Sequence, residues 1–351
     1  MNNKIAIFPI DYNNVTLARY ANLGKYEPIA LVTPSLNVLE GIDISKLDGG
    51  INANIPLQTD YKQKISDCRV VYFTDSDLVP DNSIYDELIA YAKELDKEII
   101  IDDHLLTRLE AASVTLKSQA NYDEFSKLLS IEVPIISLLT IDEKCGQSQT
   151  EWSIRKYFLS RGYKILQLSS QGYSNLLGSF ILPKFLFDIT LDVEKKIIMF
   201  NKFIYDLCLK EKPDLIIISV PTPIMKFNDE ILNGLGVLPF IIQNAIKSDI
   251  GLINLSFNEY TYEYLDYIMQ FCKFRLNVIP KYFSISNTVV TKNMDENKLD
   301  YLYLNIDFVK SNLDSNIGKD YYTVFATYDE ENMVKAFQKI EQELLTNPNQ
   351  I

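Results

Sequence analysis

Residues 140–150 read TIDEKCGQSQT, a turn rich in polar side chains that follows an apolar run and leads into a helix-like segment. This is the frame of a phosphate-binding P-loop. Such a loop works because glycines let consecutive backbone N–H groups point into one concavity and the following helix N-terminus adds its dipole. A lysine then neutralises the β and γ phosphates, and a Ser or Thr hydroxyl binds magnesium. The candidate ligand-binding residues are therefore Thr140, Asp142, Lys144, Gly146, Gln147, Ser148 and Thr150. The decisive residue is missing, since Gln147 stands where the lysine would follow Gly146 and Thr140 or Ile141 stands where the first glycine would be. Phosphoryl transfer is mainly electrostatic, so one lost charge contact costs roughly a hundredfold or more. A nucleoside triphosphatase would also carry a magnesium-binding carboxylate at the tip of a hydrophobic strand. The obvious strand, PDLIIISVPTP, ends in Ser219, Val220 and Pro221, with Asp214 at its other end. Hydrolysis is not expected; a nucleotide remains possible as an unhydrolysed ligand. Lys144 could act as a substitute cation, although a solvated loop lysine is the simpler reading.

A second candidate cluster lies earlier in the chain. IIIDDHLL places Asp102, Asp103 and His104 at the carboxyl end of a strand, where ligands of open α/β sheets usually sit. Asp75 and Asp77 in FTDSD end the neighbouring expected strand, so four carboxylates and a histidine could meet as an acid/base or magnesium site. An acidic turn capping the next helix explains Asp102–His104 as well, and it is the preferred reading. Cys145 precedes a helix N-terminus, a setting that can favour a thiolate, but no base can be assigned to it from sequence. The four cysteines form no CxxC pair and His104 is the only histidine, which excludes two- and three-histidine zinc sites; no metal is expected.

These residues need rigid elements to position them. The first third alternates β-branched runs with amphipathic segments: strands at 4–9, 28–33, 68–74 and 98–102, and a helix from Ser83, with Ser83 as its cap. This predicts an open Rossmann-like sheet. The turn after the first strand, PIDYNNVT, has no glycine to admit a pyrophosphate. The alternation weakens at 121–133 and restarts with a strand at 134–139, a helix at 148–161 stopped by Gly162, and a strand at 164–168. Further on come a helix at 193–212, a strand at 213–221, a helix at 231–246, strands at 251–255 and 277–284, and a helix at 261–274. A strand at 321–326 and a helix at 330–345 close the chain. The expected fold is α/β with two domains, each a mostly parallel sheet flanked by helices. Residues 1–132 form a Rossmann-like domain, and 133–351 form a degenerate P-loop-like domain with a C-terminal strand-helix tail.

Two apolar stretches stand out. GYSNLLGSFILPKFLFD at 172–188 would be a groove for a peptide or partner helix if exposed; the preferred reading is a loop packed into the second domain. Tyr260, Tyr264, Tyr267 and Phe271 recur at spacings of four, three and four, the pattern of a packed helix face, with a docking face as the lesser reading. The 351 residues are 47% hydrophobic and 23% charged, an ordinary globular composition. A net charge of -13 with no cluster of Lys and Arg argues against nucleic acid and against an anionic membrane surface. The apolar run in MNNKIAIFPIDYNN is too short for a signal-peptide core, and no run of about 20 apolar residues could span a bilayer. A cytoplasmic location is expected.

The stretches LLTIDEKCGQSQTEWSIRKYFLSRGYKILQLSSQGYSNLLGSFILPKFLFD and EKPDLIIISVPTPIMKFNDEILNGLGVLPFIIQNAIKSDIGLINLSFNEYTYEYLD resemble peptide maturation system proteins encoded beside radical S-adenosylmethionine maturases in bacteriocin-type clusters. The likeness runs over nearly the whole chain and is clearest from 134 to 287. It implies an accessory or binding role in maturation of a ribosomally synthesised peptide, with the precursor peptide, the radical maturase or both as partners. More distantly, the chain is similar to a bacterial family with a Rossmann-like domain followed by a P-loop domain, some of whose members are described as N-acetyltransferases of D-amino acids. Their loop starts G-T-D and, after three residues, continues G-K-x-T-T. Asp142, Gly146 and Thr150 match it, whereas Thr140, Gln147 and Gln149 replace a Gly, the Lys and a Thr. That likeness implies the competing expectation, a nucleotide- or acyl-CoA-dependent transferase using the 140–150 loop.

Overall fold

The structure is a computed structural model that describes residues 3–110, 127–293, 298–314, 317–318 and 321–346. Two compact units divide the chain: Met1–Gln119 with Gln171–Gly178, and Ala120–Ser170 with Ser179–Ile351. A single boundary near 132/133 does not capture this division, because Gln171–Gly178, expected to pack into the second domain, belongs with the first unit.

The first unit holds strands β1 (Lys4–Ile10), β2 (Glu27–Val32), β3 (Leu57–Gln58), β4 (Val70–Phe73) and β5 (Glu98–Ile101), with helices α1 (Val15–Tyr20), α2 (Ser45–Asp48), α3 (Tyr61–Asp67), α4 (Ser83–Glu94) and α5 (Asp103–Glu110). The strands pair in parallel in the order β3-β2-β1-β4-β5. A parallel sheet is covered on both faces, which is why β1 and β4 read as continuous apolar runs and are buried throughout or nearly so. α4 buries Tyr85, Leu88, Ile89 and Ala92, spaced on one helical face, while Ile84 is half-buried and Leu95 exposed. Its cap differs: Asn82 precedes the helix, and Ser83 is its first residue, with its hydroxyl bonded to Asp81. Arg19 and Asp48 form a buried two-pronged ion pair at 2.6 and 2.7 Å that ties α1 to α2.

The second unit holds β6 (Ile135–Thr140), β7 (Ile165–Ser169), β8 (Phe180–Ile181), β9 (Leu215–Ser219), β10 (Ile250–Leu255), β11 (Pro280–Ile285), β12 (Thr288–Asn293), β13 (Lys298–Tyr303) and β14 (Thr323–Ala326). Its helices are α6 (Gln147–Ser160), α7 (Val193–Glu211), α8 (Val237–Ala245), α9 (Tyr262–Phe271), α10 (Ile306–Asn312) and α11 (Glu330–Thr346). Seven strands form a parallel sheet in the order β14-β11-β10-β6-β9-β7-β8. Strand order reverses around central β6, so the loop after β6 sits at the crevice where open α/β sheets bind ligands. Apolar residues of this sheet meet α7, α8 and α9 on one face and α6 and α11 on the other. Asp192 and Thr261 cap α7 and α9 by accepting N–H bonds from Lys195 and Tyr264.

Several elements differ from the sequence reading, three of them instructive. α8 starts at Val237, not 231, because Asn233, Gly234, Leu235 and Gly236 all adopt left-handed backbone conformations. The helix expected over 261–274 ends its α-helical part at Phe271 and continues as a π-helical turn, Cys272–Leu276. β12 and β13 form a separate antiparallel pair that the sequence reading lacks. Among the described residues, no helix is long and apolar enough to cross a membrane.

Candidate functional site

The loop after β6 is built on one glycine. Gly146 has φ +72, and a Cβ there would lie 2.9 Å from the Ser286 Cβ and 3.3 Å from the Thr327 Oγ1, at the ends of β11 and β14. Only glycine meets both the left-handed backbone and the close approach. α6 then begins at Gln147, and the strand–loop–helix frame of the phosphate site is present.

Most of its polar side chains, however, point inward. Gln147, at the lysine position, donates through Nε2 to the carbonyls of Leu138 (3.0 Å) and Val220 (2.7 Å), stitching β6 to the end of β9. The Thr140 hydroxyl donates to the Asp142 carbonyl and contacts the Cys145 thiol. Cys145 is fully buried, and its thiol donates to the carbonyls of Asp142 and Asn254, both at 3.2 Å. Burial, aided by the Asp142 charge, pushes that thiol up to about 12, so the setting before α6 does not favour a thiolate. Thr150 bonds the Gly146 carbonyl and the Ser284 hydroxyl. Asp142 is buried; its Oδ2 accepts from Ser256 at 2.7 Å and its Oδ1 has no hydrogen-bond partner among the described residues. Desolvation raises its carboxyl above the usual range. Lys144 lies with its Nζ 5.4 Å from the centre of the Tyr301 ring. Ser148, in the first turn of α6, is half-buried.

Beneath α6 runs a polar chain that the sequence reading missed. Glu151 is buried over β7 and β9, where Ser169, Gln167 and Ser219 hydrogen-bond to it. The Gln167 amide bridges it to Arg155, donating to Glu151 at 2.8 Å and accepting from Arg155 at 3.3 Å. Burial wins over these bonds, raising Glu151 to about 7 and lowering Arg155 to about 10. In sequence the two are a helical i,i+4 charge pair, indistinguishable from a solvated face.

In the first unit the candidate carboxylates go to separate partners. Asp75 pairs with Arg108 at 2.7 Å, and that guanidinium lies 5.1 Å from the centre of the Tyr85 ring. Asp102 accepts from the Tyr72 hydroxyl at 2.9 Å and sits so close to Gly172 that a Cβ there would be 1.9 Å from it. Asp77 is exposed. The side chains of Asp103 and His104 lie outside the described residues. Among the described residues, no group of His, Cys, Asp or Glu is arranged to hold a metal ion.

The turn after β1 is filled by its own side chains. Asp11 is buried and accepts from Ser76 (2.6 Å) and from the N–H groups of Asn13 and Asn14, while Asn14 donates to the Pro9 carbonyl and the Thr74 hydroxyl. A carboxylate thus stands where a dinucleotide-binding turn would receive a pyrophosphate. The apolar stretch 172–188 is mostly packed: Tyr173 and Leu177 are buried, as are Leu182 and Leu186, the last two in the core of the second unit.

No family model matches the chain, and a search of curated proteins finds no relative. Among solved structures the chain is similar to a DUF1611 family protein from Anabaena variabilis, with TM-score 0.54 and 10% identity, covering 96% of this chain and 100% of that one. A plasmid partition protein from Borrelia burgdorferi bound to AMPPNP aligns over 61% of this chain and 98% of that one, with TM-score 0.35 and 14% identity. A pseudomurein peptide ligase type C from Methanothermus fervidus aligns over 82% of this chain and 44% of that one, with TM-score 0.26 and 11% identity. The last two are too loose to bear on what this chain does. The first shows the fold alone: an α/β chain built on parallel sheets flanked by helices.

Proposed function

We infer that the protein is a non-hydrolytic accessory in the maturation of a ribosomally synthesised peptide, binding the precursor, the radical maturase or both. The observation that carries the non-hydrolytic half is Gln147. At the position where a P-loop lysine would meet phosphate, its amide is spent on the carbonyls of Leu138 and Val220. A neutral group already holding two buried acceptors supplies no charge to a transferring phosphoryl group. Thr140, Cys145 and Thr150 are committed inward in the same way. The peptide half rests on the resemblance of residues 134–287 to peptide maturation system proteins.

The test is thermal unfolding of the full chain with ATP, GTP or acetyl-CoA at millimolar concentration with magnesium, beside calorimetric titration with a bacteriocin-type precursor peptide and a radical S-adenosylmethionine maturase. A ligand at about 100 times its Kd adds about 2.7 kcal/mol to the folded state, readily seen as a shifted midpoint. The expected result is no nucleotide shift and saturable binding of precursor or maturase. A nucleotide or acetyl-CoA shift abolished by Ser148→Ala would overturn this reading in favour of a transferase acting at the 140–150 loop.

A further inference from the structure

On the second unit, α8, α9 and the π-helical turn enclose an open cleft of about 490 Å³ lined by Phe240, Tyr267, Gln270, Phe271, Phe274 and Arg275. It is shallow and open to solvent, and four of its six lining residues are aromatic. Phe274 is 80% exposed and Tyr267 56%, far outside the range of core aromatics. Tyr267, Gln270, Phe271 and Phe274 share a helical face, and the π turn carries that face on to Arg275.

Two unfavourable local conformations hold the cleft in shape. One is the π turn itself. The other is the left-handed run before α8, in which Leu235, a bulky side chain at φ +54, presents its carbonyl to the Arg275 Nη2 at 3.2 Å. The Arg275 guanidinium lies 6.0 Å from the Phe240 ring centre and 5.9 Å from that of Phe271, and the Lys273 Nζ lies 5.4 Å from that of Phe274. Neither cation forms an ion pair with a described residue. In a chain of net charge -13, this cleft is a local basic and aromatic site.

We propose that this cleft binds an acidic peptide segment, taking one of its aromatic or aliphatic side chains between Phe240, Phe271 and Phe274 and its neighbouring carboxylates on Arg275 and Lys273. The choice of a peptide as occupant rests on the binding function proposed above; the charge and apolarity of the occupant follow from the cleft. A second copy of this chain fits poorly, because a two-fold contact would set Arg275 and Lys273 against their own counterparts. Extended polyanions such as nucleic acid or an anionic membrane meet the repulsion of the whole acidic surface, whereas a short segment senses chiefly the charges within a Debye length of about 8 Å.

The test uses the full chain and fluorescein-labelled hexapeptides in an anisotropy titration. One peptide has a Phe-Leu pair flanked by Asp and Glu, the second has the same pair flanked by Lys, and the third is acidic with no apolar residue. The expected result is saturable binding of the first alone, weakened about tenfold by Phe274→Ala and by Arg275→Gln, with preference passing to the second peptide in the double variant Lys273→Glu/Arg275→Glu. All these positions are exposed, so unchanged melting midpoints will show that the variants stay folded. No binding of the first peptide, equal binding of the second, or indifference to the variants would each overturn the proposal. So would a dimer in sedimentation that Phe274→Ala dissolves. Precursor binding untouched by Phe274→Ala would refute the cleft and leave the accessory function standing; acidic-peptide binding at the cleft with no affinity for precursor or maturase would do the reverse.

Discussion

Substituting Glu151 with Gln isolates the energetics of the buried polar chain under α6. In the folded protein Glu151 holds its proton up to about pH 7, whereas the unfolded chain releases it near the ordinary value of 4.5. Between those limits the folded state binds more protons, so stability falls as pH rises through the window and is flat above about 8. The interval from 4.5 to about 7, at about 1.4 kcal/mol per pH unit, amounts to roughly 3 kcal/mol. Glu151→Gln removes the titration while leaving a group that can still accept from Gln167, so its stability loses this slope. Urea unfolding at pH 5 and pH 8 measures both proteins. The readout is how the difference between variant and wild type changes with pH, because other carboxylates contribute equally to both. The constant offset between the two carries the separate cost of replacing a carboxyl by an amide among Ser169, Gln167 and Ser219. The variant should gain about 2.5 kcal/mol on wild type between pH 5 and pH 8, the remainder of the change lying below pH 5. Stability differences that stay constant over that range would refute the assignment of Glu151 as a buried, half-neutral carboxyl.

Three further outcomes follow from the loop. Gly146→Ala combines a left-handed backbone with a Cβ 2.9 Å from that of Ser286, and chemical unfolding should show a loss of roughly 3 kcal/mol; a change under about 0.5 kcal/mol would mean that the loop adapts freely. Gln147→Ala strands the carbonyls of Leu138 and Val220 and should cost about 2 kcal/mol, equally with and without ATP; a loss seen only with nucleotide present would mean that the amide serves a ligand. Cys145, raised to about 12 and fully buried, should resist iodoacetamide at pH 8 until the protein is unfolded. Its labelling in the native state at the rate of a free cysteine, read by peptide mass spectrometry, would place the thiol at the surface.

The sequence carried the fold through periodicity. Parallel strands buried on both faces are continuous apolar runs, so β1, β6, β9 and β10 are legible to within a residue or two, and the Gly146 turn marks the centre of the second sheet. What it could not carry depends on backbone choices with small sequence signals. Asn233–Gly236 reads as part of a helix because the apolar spacing of its neighbours masks the Asn-Gly turn signal, and Leu235 adopts a left-handed conformation against its type. The β12–β13 pair stands outside both main sheets, so no layer of core residues imposes an apolar run on it. Side-chain fate was less legible still. Placing Asp75 and Asp102 at the ends of adjacent strands β4 and β5 follows from topology, yet which neighbour each carboxylate meets depends on Arg108 and Tyr72, residues that no spacing argument links to them.

The loop and the β1 turn share a physical logic that bears on how the fold can function. A phosphate-binding loop keeps its N–H groups, cation and hydroxyls unsatisfied until the ligand arrives, and it is ordered by the ligand. Here Gln147, Thr140, Cys145 and Thr150 supply internal partners at one switch point, and Asp11 and Asn14 supply them in the other unit. Such loops are ordered by the chain itself and leave a bound anion little to satisfy. Groups open to a partner lie elsewhere in the proposed reading: the exposed rings around Phe274, with Lys273 and Arg275, which form no ion pair among the described residues. On this argument, stability and binding have separated in the second unit. Gly146→Ala should therefore weaken folding far more than it weakens any partner that the folded protein holds, and Phe274→Ala should do the opposite; a binding partner lost with Gly146→Ala at temperatures where the variant is fully folded would show that the loop still takes part in recognition.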